Sequence, residues 1–150
     1  MIRTAFFALA VSALAMPAIA QSQGTKTPST KATPPKSSLT TLSGVYTLEE
    51  AEAGKELFLS ACTSCHPIVT HATGEFRRKW QGKPLSELFI YMKTSMPKND
   101  PGSLADEDYA IALAYLLQAN RMPVGKTYLS TDTLELRKIR FDTVRAVHKP

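Results

Sequence analysis

Cys62-Thr63-Ser64-Cys65-His66 constrains this chain more than any other stretch of it. Residues three apart share one side of a helical turn, so the two thiols face the same way and an imidazole follows directly. C-x-x-C-H is the attachment signature for a c-type haem. Both thiols can reach the vinyl groups of one haem and form thioethers, and the next residue can ligate its iron. With two Cys and three His in 150 residues, chance yields the pattern in about 3 of 10,000 arrangements. Three other readings use the same residues. A thioredoxin-type pair requires a βαβ context that the hydrophobic pattern does not supply. A Cys62–Cys65 disulfide fits an oxidising compartment. Half a zinc site would need a second chain. A cysteine count of two excludes a Cys₄ metal site within one chain and a multi-bridge secreted scaffold.

A haem iron held by His66 has a second axial position to fill. The candidates are Met92, Met96, Met122, His71 and His148. His71 lies five residues beyond His66 and reads as a loop or surface histidine that could hardly reach the far face of the ring. His148 lies in the C-terminal tail. Met92 falls within an apolar helical pattern and Met122 just past a helix end, and both read as core packing. Met96 precedes Pro97 in the run TSMPKNDPG. Proline stops the helix there and fixes the local backbone, which can aim a thioether at one point. Met96 is therefore the expected ligand. A soft thioether opposite His raises the iron potential and closes the coordination sphere.

The ends of the chain read differently from its middle. Residues 1–20, MIRTAFFALAVSALAMPAIA, combine Arg3, an apolar run and a small-residue Ala18-Ile19-Ala20 site. They are expected to be a cleaved export signal, which leaves no transmembrane segment in the mature chain and places it in the periplasm. Residues 21–43 hold three Lys, three Pro, many Ser and Thr, and neither an acid nor an aromatic residue. That composition predicts a flexible linker. The formal net charge of +5 sits on the flanks. Residues 44–130 carry nine basic and ten acidic side chains, with no basic stripe interleaved with aromatics, which argues against a nucleic-acid partner. The length allows one small domain, expected over 44–130, with a C-terminal extension over 131–150.

Three helices are predicted and no period-2 strand competes with them. Thr47-Leu48-Glu49-Glu50 is a capping box opening a helix through about Ser60, with Ala51, Gly54, Phe58 and Ala61 as its apolar stripe. Gly54 costs a helix about 1 kcal/mol, so a close helix–helix approach is expected there. Pro84 suits the first position of a second helix, with Leu85, Leu88, Phe89 and Met92 on one face. A third runs from about Ala105 to Ala119, with Asp106, Glu107 and Asp108 against its N-terminal dipole and Tyr109, Ala112, Leu113, Leu116 and Leu117 facing inward.

The order Gly54, Phe58, CTSCH, Met96-Pro97, Tyr109 and Ala114-Tyr115-Leu116-Leu117 resembles a class I c-type cytochrome. The run MPKNDPGSLADEDYAIALAYLLQANRMPVG resembles more closely the monohaem domains and subunits that serve periplasmic quinoprotein or molybdenum dehydrogenases. The likeness covers about residues 44–140. It implies an all-α fold, a small helical bundle wrapped around one covalently attached haem c, with the first and last main helices crossing so that Gly54 and Phe58 meet Tyr115 and Leu116. It also implies that Trp80 is the aromatic on the haem propionate side, a cofactor-binding role, and that Leu134 to Ile139 belong to a family extension. The implied function is one-electron transfer from a dehydrogenase donor to an oxidase or another cytochrome. With His66 and Met96 on the iron no site is open to substrate, so no catalytic residue is expected. A free carrier and a permanent electron-transfer subunit both fit. The chain departs from the family in having Pro67 after the attachment histidine, and no clear match to the Pro-containing loop that accepts from that imidazole.

Overall fold

A computed structural model describes residues 39–143. The expected export signal at 1–20, the expected linker through residue 38, and His148 lie outside the described residues. Among the described residues the secondary structure is helical: α1 (Leu48–Ala61), α2 (Gly74–Trp80), α3 (Leu85–Ser95), α4 (Asp106–Ala119) and α5 (Thr133–Arg137), with short 3-10 helices at Thr41–Ser43 and Ile68–His71.

Helix α1 begins where its capping box requires. Glu50 N–H donates to Thr47 Oγ1 at 3.2 Å, and Thr47 N–H donates to Glu50 Oε2 at 2.9 Å. The box does more than start a helix. Glu50 is buried, and its Oε1 accepts from Leu129 N–H at 2.8 Å, which ties the chain beyond α4 back to α1. A buried carboxylate is tolerable only with its acceptor sites filled in this way. Helix α4 starts on Ala105, which offers no side-chain cap. Asp106, Glu107 and Asp108 in its first turn face the positive end of the helix dipole.

Helices α1 and α4 cross at Gly54. A Cβ built there would overlap the Ile111 carbonyl oxygen and lie 2.5 Å from its carbon. One turn further along, the Phe58 and Tyr115 rings meet edge to face at 5.6 Å. The expected crossing is present, with Gly54 against Ile111 rather than Tyr115. Tyr109, Ala112, Leu113, Leu116 and Leu117 are buried as the period predicts. Ala61 is not: it is exposed, because the last turn of α1 runs past the core to the rim of a cavity. Pro84, expected at the first helical position, stands instead at the N-cap of α3 at φ −59 and ψ 139, one position before the first helical residue, Leu85.

The domain edges differ from those expected. Residues 41–43, assigned to the linker, form the first 3-10 helix, capped by Thr40; Thr41 is buried and its hydroxyl donates to the Asp142 carbonyl at 2.6 Å. The expected extension supplies core residues. Leu136, Ile139 and Phe141 are buried, and the strip 139–141 lies between two other segments. Leu85 N–H donates to Ile139 C=O at 2.7 Å, Phe141 N–H to Lys83 C=O at 2.8 Å, and Arg140 N–H to Leu39 C=O at 3.0 Å. The physical reason is that Ile139 and Phe141 are alternate residues of an extended strip, and both turn into the core. Helix α2 was not expected. Its two apolar anchors, Phe76 and Trp80, span a single i,i+4 step, too short for a period to register, although Thr73 caps it by accepting from Phe76 N–H at 3.1 Å.

Candidate functional site

Helix α1 ends at the motif. Cys62 is its C-cap, and the N–H groups of Cys62 and Thr63 both donate to Phe58 C=O, at 2.9 and 3.0 Å. The chain then makes one more turn: Cys65 N–H and His66 N–H both donate to Cys62 C=O, at 3.1 and 3.0 Å. That turn gathers both thiols and the imidazole at one rim. Cys62 is half-buried, Cys65 is exposed, and the two are free thiols. Burial pushes the Cys62 thiol above its ordinary range, and Cys65 beside it adds to the rise.

These three residues line a cavity of about 210 Å³. Its walls come from four places in the chain. Leu57, Phe58 and the motif turn form the first, Leu88, Met92, Met96 and Pro97 the second, and Tyr109, Ala112 and Leu116 of α4 the third. His71 and Phe76 close the side nearest the motif. The walls are mostly apolar, and the soft and basic donors number few: two thiols, two imidazoles, two thioethers and the Lys98 amine.

Met96 stands at the C-cap of α3, where the backbone turns extended at φ −133 and ψ 151. Three hydrogen bonds hold it. Its N–H donates to Met92 C=O at 2.9 Å, and its carbonyl accepts from the Tyr109 hydroxyl at 2.6 Å and from Gly102 N–H at 3.3 Å. Met92 reaches the same cavity while packing against the core. Met122 does not; it is 3% exposed within the core cluster, and its carbonyl accepts from the buried Tyr46 hydroxyl at 2.7 Å.

The structure separates the remaining expected residues. Trp80 is buried and is not a wall residue of the cavity. It packs on two residues that are, Phe76 at 6.4 Å and Tyr91 at 5.6 Å between ring centroids, with Lys79 and Lys83 ammonium groups over its ring. His71, expected as a loop or surface residue, ends the second 3-10 helix. It is partly buried, lines the cavity on the side of His66, and lies 5.2 Å from that ring. Burial pulls its imidazole pKa down, and the neighbouring His66 lowers it further, favouring the neutral form. Only its five-residue distance from His66 could have drawn attention to it.

A hollow with apolar walls, two thiols spaced to bond one macrocycle, an imidazole in the next position and a thioether from a distant loop fits a covalently held porphyrin. Residues 49–116 match the family model described as cytochrome C oxidase, cbb3-type, subunit III. The match supports reading this segment as a c-type cytochrome domain. Its cofactor is one covalently attached haem c with its iron, and its chemistry is electron transfer. No curated protein and no solved structure matches the chain. The α1–α4 crossing and the motif turn fall within the matched residues. Met96 does too, in the cytochrome's loop between α3 and α4.

Proposed function

We propose that this cytochrome is a periplasmic one-electron carrier with a His/Met-ligated haem, taking electrons from a dehydrogenase and passing them to an oxidase or another cytochrome. The observation that carries the reading is that His66 and Met96, 30 positions apart in the chain, line the same cavity as Cys62 and Cys65. The haem, when bound, supplies the one-electron couple of its iron. The protein's own residues do the rest. Cys62 and Cys65 would hold the ring covalently, His66 and Met96 would ligate its iron, and the apolar walls exclude water, which would make charge on the iron costlier than in solvent. Met96 favours the reduced metal because its sulfur is a soft ligand. Export is supported by the apolar leader-like run over residues 4–20. Among the described residues no helix is long and apolar enough to cross a membrane.

The attachment is tested by mass. The haem-loaded protein, denatured and freed of non-covalent ligands, is expected to keep its colour and to carry the mass of one haem. Replacing either Cys62 or Cys65 by Ala leaves a single thioether, and replacing both leaves none. A bare polypeptide mass with a Cys62–Cys65 disulfide would sink the assignment.

The Tyr109 hydroxyl offers a second test, because it holds the backbone carbonyl of the proposed ligand. Tyr109→Phe removes one hydrogen bond while keeping the ring, a loss of about 1 kcal/mol. Met96 should then be easier to displace. Imidazole added to the ferric protein is expected to bind about five-fold tighter than to the parent protein, measured by optical titration. Unchanged binding would show that this hydroxyl does not restrain the ligand.

A further inference from the structure

A histidine that ligates a metal almost always gives its second ring N–H to an acceptor, and that partner fixes its tautomer and the plane of its ring. The ring beside His66 is another imidazole. The His66 and His71 rings meet edge to face, 5.2 Å between centroids with planes 66° apart. A neutral imidazole carries one acceptor nitrogen. Centroids this far apart leave two ring nitrogens within hydrogen-bond distance when they face one another.

His71 is itself held from several sides. The Phe58 ring stands edge-on at 6.2 Å and the Phe76 ring at 5.7 Å. Asn120, buried at the end of α4, donates its amide to His71 C=O at 2.7 Å and to Leu116 C=O at 2.8 Å. Arg77 clamps the next residue, donating to Ala72 C=O at 2.9 Å, and reaches Asn120 Oδ1 at 3.4 Å. A buried asparagine is costly unless its polar atoms are paired. Here the pairing ties the 3-10 turn that carries His71 to the end of α4.

We infer that His71 is the positioning residue for His66: anchored through Asn120 and Arg77, its imidazole fixes the ring plane of the histidine that ligates the haem iron. The inference rests on the reading of His66 as an iron ligand. It assigns His71 no contact with the iron.

The test uses the full-length haem-loaded protein. In the ferric state the spread of the haem methyl proton shifts follows the orientation of the axial imidazole plane, and the reduction potential follows the basicity of that ligand. His71→Leu is expected to change the order or spread of the methyl shifts. It should also raise the potential, because a partner that accepts from the ligand makes it more basic. The haem mass and the low-spin spectrum should persist. His71→Asn, which keeps a side-chain acceptor, should move both readouts back towards the parent protein. Asn120→Ala leaves both imidazoles in place and removes the tether, so it should alter the shift pattern in the same sense even if His71→Leu does not fold. Parent-like shifts and potential in these variants, with or without a lower melting temperature, would reduce His71 to packing and overturn the inference. Failure of the underlying reading would look different, as parent protein without covalent haem or without a low-spin iron.

Discussion

Met96→Ala is expected to leave the haem attached and to open one face of its iron. The thioethers to Cys62 and Cys65 do not involve Met96, so the denatured variant should keep its haem mass. The ferric spectrum should lose the thioether-to-iron charge-transfer band. The potential should fall, since the soft sulfur that favours reduced iron is gone. Carbon monoxide should bind the ferrous variant, because a coordination position is free. Two other methionines set the controls. Met92 lies one helical turn before Met96, lines the same cavity and also packs on the core. Met122 sits in the core, away from the cavity walls. Met122→Ala should cost about 3 kcal/mol of stability, and the partly buried Met92 about 2 kcal/mol, with the charge-transfer band kept in both. The backbone favours Met96. Met92 is held inside the last turn of α3, whereas Met96 ends α3 in an extended conformation that three hydrogen bonds fix. If Met92→Ala abolishes the band and Met96→Ala keeps it, the axial assignment moves to Met92.

Gly54→Ala should destabilise the fold, although helix propensity alone predicts a gain of about 1 kcal/mol. The added methyl would overlap the Ile111 carbonyl across the α1–α4 crossing. Backbone cannot rotate out of the way as a side chain can, so the helices must part. Overpacking of this kind costs up to about 3 kcal/mol or more, which outweighs the propensity term. Separating the helices also withdraws Phe58 from Tyr115 and shifts the turn that carries the two thiols. Denaturant unfolding of the haem-loaded variant should therefore show a lower midpoint, and Gly54→Leu a larger drop still. A midpoint equal to or above that of the parent would show that the crossing is looser than the structure has it.

Much of this domain was legible one segment at a time. The capping box at Thr47 and Glu50, the inward stripe of α4 and the close approach at Gly54 were read from residues three or four positions apart, and the structure places them so. The short helix α2 escaped because two apolar anchors make no period. The strip 139–141 escaped because its partners, at 39–41 and 83–85, are distant in the chain and bond through backbone groups that leave no trace in residue type.

The division for the site follows the same physics. The sequence by itself determined the chemistry: two thiols and an imidazole within one turn are a local arrangement, and any backbone that makes the turn presents them together. It also determined that Met96 leaves its helix at a proline. Only the tertiary structure decided what surrounds them. It set Met92 and Met96 on one cavity and took Met122 out of it. It also placed Trp80 in the core beside Phe76 and Tyr91 instead of on the cavity wall, and brought His71 onto His66 under the hold of Asn120. Each of these depends on where elements far apart in the chain come to rest, which is settled by how the helices cross and pack rather than by the spacing of residues along any one of them.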